Sequence, residues 1–351
     1  MSKATVKKCL GFALQLAVTA ALLGWILHDP HKRAQMAEAF LHADWHWLAA
    51  GLAVYGGVEA MAVVRWKTLL RIQHFAIGWK QATSILFIGE FFLTFTPGLV
   101  GGDVARIYYL ARDLPEKKVD AFTAVLMDRV MGMLSLMLLA ATILGSRYEW
   151  LSRAPVAAGL VKVVATILGF GVVAVVASLV VSSAGWLERP AVPRYLHDLA
   201  TAFGQFPRDW PRTVAAFATT LVSHLCYYAS FCCAGQAVSR GVSSAPTAGD
   251  VFSLMPIENT LTALPVSFAG VGLRESLFQR LLHDLAGVDP GVGALIGSLG
   301  FATKALWALP GAVVFIVYGL ARRRRESVQR GPSGPLAGSS AGSDVAMSKA
   351  R

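Results

Sequence analysis

Long apolar runs that carry few charged residues constrain this chain more than any other sequence feature. A helix needs about 20 consecutive apolar residues to cross a bilayer. Only 15% of the residues are charged, whereas a soluble domain carries about 25%. The composition therefore excludes an ordinary soluble enzyme, and we predict an all-α polytopic membrane protein. Its six predicted full spans are Cys9–Leu27, Trp47–Val64, Ala121–Leu144, Val156–Val181, Thr213–Ala237 and Val292–Leu320.

Two shorter apolar runs end in breaks. Gln81–Thr96 and Gly249–Leu264 each hold about 16 residues, which reach about 24 Å as a helix and fall short of a hydrocarbon core of about 30 Å. Proline removes a backbone donor and glycine permits sharp turns. Broken segments persist at membrane depth when they are buried in protein or line a cavity. We predict two re-entrant broken-helix hairpins whose turns depend on Pro97, Gly101, Gly102, Pro265, Gly270 and Gly272.

The two broken segments share a sequence pattern. Residues 90–106 and 258–274 align without a gap at an offset of 168 residues, and 6 of the 17 aligned positions are identical. The identical pairs are Glu90/Glu258, Leu93/Leu261, Thr94/Thr262, Pro97/Pro265, Gly102/Gly270 and Arg106/Arg274. Chance rarely matches Glu, Pro and Arg together inside apolar segments, so the pattern predicts an internal duplication.

The number of runs between the two copies predicts their orientation. Three full runs separate them, an odd number, so the copies should face opposite sides of the membrane as an inverted repeat. Inverted repeats with discontinuous helices that meet near the bilayer midplane are a recurrent transporter architecture. Lys and Arg concentrate on the side of the N terminus when both hairpins re-enter, which predicts cytoplasmic N and C termini. We assign the net charge of +11 to this topology and to contact with the inner leaflet, and we expect no nucleic-acid partner.

The chain divides into one transmembrane domain and a tail. Residues 1–325 contain every apolar run, whereas residues 326–351 are rich in Gly, Ser, Ala and Pro. A segment of that composition cannot bury enough apolar surface to fold. We therefore predict a disordered tail.

Charged residues inside apolar segments are the candidates for function, because a charge at the centre of a spanning helix costs about 2.5–3.5 kcal/mol on insertion scales. Arg106 and Arg274 each follow a glycine turn at a helix start, where backbone N–H groups and a guanidinium together suit a phosphate. They would capture a lipid headgroup or, alternatively, pair with a glutamate that holds each hairpin together. Glu90 and Glu258 would contact a cationic headgroup, carry a proton, or act as structural partners of Arg106, Arg274 or Lys304.

Further polar residues complete the predicted substrate-binding set. Lys304 and His224 lie near the middle of predicted spans, and a packed, hydrogen-bonded role is the alternative for His224. Asp103 could instead cap the helix that follows the first turn, and we interpret the Asp128-Arg129 pair as a structural contact. The full set is Arg106, Arg274, Glu90, Glu258, Lys304, His224, Asp103 and Glu275. The sequence holds no P-loop and no nucleophile motif, and we predict no catalytic residue, metal or cofactor.

The hairpin sequences resemble a known membrane family. PGLVGGDVARIYYL, the Asp128-Arg129 pair and PVSFAGVGLRESLF are similar to the membrane region of lysylphosphatidylglycerol synthases. That family includes the flippase half of the bacterial multiple peptide resistance factor and many stand-alone membrane proteins. The resemblance covers about residues 8–320. It implies a lipid-translocating or lipid-binding domain in a bacterial inner membrane, with a membrane phospholipid as its partner, and it does not fix the lipid.

One departure from the family bears on activity. Bifunctional members carry a large soluble domain that transfers an amino acid from aminoacyl-tRNA to lipid, whereas the longest polar segment between spans here, Ser183–Arg212, has about 30 residues. We therefore expect a flippase-like protein for an anionic or aminoacylated lipid and no transferase activity. The alternatives are a membrane-embedded lipid-modifying enzyme and a non-catalytic partner of a separately encoded lipid-synthesis enzyme. The sequence leaves the oligomeric state open.

Overall fold

Helices make up nearly all of the structure. The computed structural model describes residues 3–96, 101–183, 194–240, 242 and 244–329. Within these ranges it contains α helices and short 3₁₀ turns but no strand, which confirms the predicted all-α fold for the described part of the chain. In chain order the helices are α1 Lys3–His28, α2 Pro30–Leu41, α3 Trp45–Ile72, α4 Trp79–Phe95, α5 Gly101–Asp113, α6 Lys118–Ser146, α7 Tyr148–Leu151, α8 Pro155–Ser183, α9 Arg194–Arg208, α10 Trp210–Ala237, α11 Ala248–Thr262, α12 Leu273–Ala286 and α13 Pro290–Gln329.

A helix lies over each of the six runs that were predicted to cross the membrane, and the chain is a multi-pass membrane protein. Four described stretches are long and apolar enough to span a bilayer, namely Trp45–Ile72, Pro115–Ser146, Trp210–Ala237 and Pro290–Tyr318. In α1 and α8 the apolar stretches found are shorter than a full span, namely Gln15–His28 and Pro155–Gly171. The number of full spans therefore stays a prediction. The disordered tail also stays a prediction, because residues 330–351 lie outside the described ranges, while α13 continues through the first predicted tail residues to Gln329.

Small residues allow α3 and α10 to pack closely. A Cβ at Gly51 would lie 3.2 Å from Cys233 Cβ, and a Cβ at Gly57 would lie 3.2 Å from Cys226 Sγ. Small side chains let helix backbones approach in membranes, where lipid supplies no hydrophobic force between helices. Because α4 contacts α3 and α11 contacts α10, each helix of this pair supports one of the two broken segments.

The first broken segment turns back on itself as the hairpin of α4 and α5. A Cβ at Gly102 would overlap the carbonyl oxygen of Gly89, so the two helices cross at a point where only glycine fits on α5. Gly101 begins α5. Pro97, which was predicted to break the segment, lies outside the described residues.

The second broken segment forms the hairpin of α11 and α12. Gly270 and Gly272 in its turn have φ values of 77° and 84°, a left-handed region that favours glycine. Pro265 follows the end of α11, and its carbonyl oxygen accepts a hydrogen bond from Gln15 Nε2 of α1 at 3.2 Å. The tip of this hairpin, Phe268–Gly270, contacts α4 of the other hairpin.

The N-terminal half of α13 packs on the second hairpin through a row of glycines. A Cβ at Gly297 would lie 3.2 Å from Glu275 Cα, and a Cβ at Gly293 would lie 2.9 Å from Gln279 Cα. Since α12 ends at Ala286 and α13 begins at Pro290, the base of this hairpin lies at the N-terminal end of α13.

The C-terminal half of α13 packs on the first hairpin. A Cβ at Gly311 would overlap the carbonyl oxygen of Phe87 in α4. The guanidinium of Arg112, near the end of α5, lies 6.0 Å from the Tyr318 ring. The bases of the two hairpins therefore lie at opposite ends of α13, as an inverted repeat requires. Pro310 lies inside α13 between the two contact regions.

Sequence reasoning missed α9, which lies in Ser183–Arg212, the stretch that was interpreted only as a polar segment between spans. Phe206 of α9 is buried against Leu69, Ile72 and Ala216, so the helix packs on the ends of α3 and α10. A signal was available, because apolar residues recur at helical spacing at positions 196, 199, 203 and 206.

Candidate functional site

Arg106 is the centre of a buried ion-pair cluster at the first hairpin. Its Nη2 donates to Glu90 Oε1 at 2.6 Å, and its Nη1 donates to Asp128 Oδ2 at 3.0 Å. The guanidinium lies 5.5 Å from the Trp66 ring. Arg65 donates to the other oxygen of Asp128 at 2.6 Å. The cluster ties α3, α4, α5 and α6 together.

Arg274 forms the corresponding pair at the second hairpin. Its Nε donates to Glu258 Oε1 at 2.7 Å, and both residues are buried. Thr262 Oγ1 and the Tyr227 hydroxyl also donate to this carboxylate, at 3.1 and 3.3 Å. The guanidinium lies 5.5 Å from the Phe301 ring of α13. Both Glu–Arg pairs join residues 16 positions apart, so the duplicated sequence pattern forms the same contact twice.

Asp128 and Arg129 are neighbours on α6 whose side chains pair with different partners. Asp128 pairs with Arg65 and Arg106, whereas Arg129 donates to both oxygens of Asp103 at 2.9 and 2.7 Å. The hydrogen bonds of the Asp103 side chain found among the described residues come from Arg129 rather than from backbone N–H groups. Two adjacent residues of α6 therefore hold the first turns of α5.

Lys304 and Glu59 lie between the two hairpin pairs. Lys304 of α13 interacts electrostatically with Glu90 of the first hairpin and with Glu258 and Arg274 of the second. Glu59 of α3 interacts with Glu90 and Lys304. Charged groups of both hairpins therefore meet near the middle of α13. We call this set the hairpin network, and its members are Arg65, Arg106, Arg129, Arg274, Lys304, Glu59, Glu90, Asp103, Asp128, Glu258 and Glu275.

The hairpin network retains donors without acceptors. Arg106 Nε and Arg274 Nη1 are buried and have no hydrogen-bond partner. Lys304 forms no salt bridge with another described residue. A buried donor on a charged group is costly to leave unpaired. These cationic donors are therefore suited to an anionic group such as a phosphate, which binds guanidinium and ammonium strongly.

Two residues of the predicted binding set have other contacts. His224 Nδ1 lies 3.1 Å from Ser135 Oγ of α6 and 3.1 Å from the Thr220 carbonyl oxygen of α10, and neither partner belongs to a hairpin. Glu275 accepts from the Gly272 N–H at 2.6 Å and caps the start of α12. Roles for these two residues in binding stay predictions, as do those of the other members of the set.

Arg65 was missed because the second apolar run was taken to end at Val64. The residue lies inside α3 with its side chain 14% exposed, not in a loop. The chain has no proline or glycine between Val58 and Ile77, and this absence could have extended the predicted helix. Tyr227 was also missed, although it lies three residues after His224 on α10, a spacing that places two side chains on the same face of a helix.

An apolar cavity of about 590 Å³ opens between α6 and α8, with lining residues that include Met137, Leu144, Val161 and Leu168. The lining contains no charged residue, and none of its members belongs to the hairpin network. The cavity suits a hydrocarbon chain rather than a headgroup.

Asp44 joins the ends of α3 and α10 outside the apolar spans. Its carboxylate accepts the His46 N–H at 3.0 Å and pairs with Arg240 at 2.8 Å. Its own N–H donates to the Ala237 carbonyl oxygen at 2.8 Å. The hydrogen bond from the His46 N–H, with help from the Arg240 charge, holds the pKa of Asp44 below its usual value.

Comparison with known proteins points to one family. A family model described as "Lysylphosphatidylglycerol synthase TM region" matches residues 12–325. The match covers nearly the whole chain, includes both hairpins, and confirms the resemblance found in the hairpin sequences. No curated protein gives a significant match.

Proposed function

Since the chain belongs to the lysylphosphatidylglycerol synthase transmembrane-region family, we propose that it is a flippase-like protein of a bacterial inner membrane. It moves a phospholipid with an anionic or aminoacylated headgroup between the leaflets, and both of its termini are cytoplasmic. Its partner is the phospholipid itself, which a separately encoded enzyme would synthesise.

The observation that carries this proposal is the meeting of two opposed hairpins at Lys304. Arg274 and Glu90 come from different hairpins, and both interact electrostatically with Lys304. A site shared by the two halves of an inverted repeat can open to each side in turn when one half rocks against the other. Charges at membrane depth are expensive and are characteristic of substrate pathways.

The ion pairs suggest how a headgroup binds without leaving a buried charge unpaired. Arg274 Nη1 and the Lys304 ammonium would donate to the lipid phosphate. If the phosphate replaces Glu258 as the partner of Arg274, the guanidinium keeps an anionic acceptor. Glu258 is then free to accept from an aminoacyl ammonium, which would make the site suitable for both classes of headgroup.

Lipid exchange in proteoliposomes tests this function. The wild-type chain should exchange phosphatidylglycerol or lysyl-phosphatidylglycerol between leaflets, and Arg274→Gln should slow exchange about tenfold or more, because a charge-assisted hydrogen bond contributes about 1.5–3 kcal/mol. Arg280→Gln is the matched control. Arg280 lies on the same helix with a side chain 60% exposed and paired with Asp284 at 2.8 Å, so its loss should leave the rate unchanged.

A charge exchange separates headgroup binding from structural pairing. The double variant Glu258→Arg with Arg274→Glu keeps an ion pair but removes the cation from its position. If Arg274 only held the hairpin together, this variant would exchange lipid at the wild-type rate. If folded wild-type protein exchanges no component of a bacterial lipid extract, the flippase assignment is wrong, and co-purification of a lipid enzyme would then favour the role of a non-catalytic partner.

A further inference from the structure

Glu59 is a buried acid that the ion pairs of the hairpin network leave out. It is 6% exposed, its Oε2 has no hydrogen-bond partner, and it forms no salt bridge with another described residue. The other buried acids in the described ranges accept from a cation or a backbone N–H. They are Asp44, Asp128, Glu258 and Glu275.

Among the described residues, no cation near Glu59 forms an ion pair with it. The titratable groups that interact electrostatically with Glu59 include Tyr55 and Arg65 of α3, Glu90 of α4, Arg106 of α5 and Lys304 of α13. From α10, Tyr227 contacts the Tyr55 ring and His224 interacts with Arg65. Arg65 and Arg106 both form ion pairs with Asp128 of α6. Glu90 repels an ionised Glu59, so Lys304 is the remaining cation that could stabilise it.

The charge balance of the hairpin network indicates that one of its acidic side chains carries a proton. The network as defined above contains five basic and six acidic side chains, so its charges balance when one acid is neutral. An isolated carboxylate in a medium of low dielectric constant takes up a proton in preference to staying charged. Glu59 is the member whose anion no donor stabilises directly.

We propose that Glu59 is a proton-binding site whose occupancy is linked to the anionic lipid held between the hairpins. The proposal rests on the proposed function for the identity of the anion. A phosphate beside Lys304 and Arg274 draws on the positive charge that would otherwise stabilise an ionised Glu59, so it favours the protonated carboxyl. Linkage is reciprocal, and the proton strengthens phosphate binding by the same factor. The proton comes from water on the open side, forms an O–H bond on the carboxylate, and returns to water on the other side.

Infrared spectroscopy of the full chain in detergent tests the proton site without requiring transport. At neutral pH, where exposed carboxyl groups are ionised, the spectrum should show the C=O stretch of a protonated carboxyl group, and raising the pH should remove it. Glu59→Gln should remove that band, and Glu59→Asp should restore a titrating band. Glu149→Gln, a change at an exposed acid of α7, should leave it intact. A spectrum that Glu59→Gln does not change would overturn the proposal.

The linkage is tested by repeating the titration with phosphatidylglycerol or phosphatidylcholine in the micelles. Phosphatidylglycerol should raise the midpoint by about one pH unit, which corresponds to a tenfold linkage, and the zwitterionic lipid should raise it less. An unmoved midpoint in a protein that exchanges lipid would refute the linkage and leave the flippase function standing. A raised midpoint in a protein that exchanges no lipid would support linked binding and refute transport.

Discussion

Glu258→Gln should destabilise the protein strongly, because it leaves Arg274 as a buried cation without an anionic partner in direct contact. Arg274 is 2% exposed, and its Nη1 already lacks an acceptor. Removal of one member of a buried ion pair costs about 3–5 kcal/mol. We expect the free energy of unfolding to fall by about 3 kcal/mol.

The assay is a denaturant titration of the detergent-solubilised protein, followed by circular dichroism. Asp284→Asn is the matched control, because it breaks the exposed pair with Arg280 on the same helix and should cost less than about 0.5 kcal/mol. The double variant Glu258→Gln with Arg274→Gln should recover most of the loss, since no unpaired charge remains. If Glu258→Gln costs no more than the control, or if the double variant is less stable than both single variants, the reasoning is refuted.

Three further predictions concern the scaffold. Gly102→Ala should lower the stability of the protein, because the added Cβ would overlap the Gly89 carbonyl oxygen. Gly132→Ala, at a site with no atom within 4 Å, should raise the stability by about 0.5–1 kcal/mol. Thermal melting compares the two variants. Asp44→Asn should destabilise the protein at neutral pH, because the folded-state pKa of Asp44 is lowered and its ionised form is stabilising. The difference should begin to shrink as the pH falls to about 3.9, the usual unfolded-state pKa, and should vanish only at the lower pH at which the folded protein also protonates Asp44; melting across pH measures it. Cysteines introduced at Lys118 and His283 should react with an impermeant reagent from opposite faces of the membrane, and labelling from a single face would contradict the inverted arrangement.

The hairpins could be predicted from the sequence because their signal is local. Short apolar runs, a break and a repeated pattern of Glu and Arg are all visible within segments of 17 residues. Sequence reasoning also anticipated that Arg106 and Arg274 could pair with glutamates, and the structure pairs each with the glutamate of its own hairpin. The choice among Glu90, Glu258 and Lys304 as partners depended on how the helices cross, which local patterns do not encode.

The remaining features of the site required the packing of distant helices. Asp128 lies between Arg65 and Arg106 because α6 packs beside both α3 and α5, a contact between segments far apart in the chain. The lack of an ion-pair partner for Glu59 likewise depends on its surroundings, because Glu90 is also a glutamate and pairs with Arg106. His224 was weighed as either a ligand or a packed residue, and only the position of Ser135 on α6 shows which group its ring nitrogen faces.

Pro310 gives α13 a mechanical property that its contacts alone do not. Proline has no N–H, so the carbonyl of Leu306 loses its usual helical partner, and helices bend most readily at such a point. Gly293 and Gly297, which pack on α12, precede Pro310, and Gly311, which packs on α4, follows it. Each half of α13 can then move as one rigid arm with its own hairpin. In the proposed flippase, a swing about Pro310 would alternate access between the two leaflets while both glycine-lined interfaces stay closed.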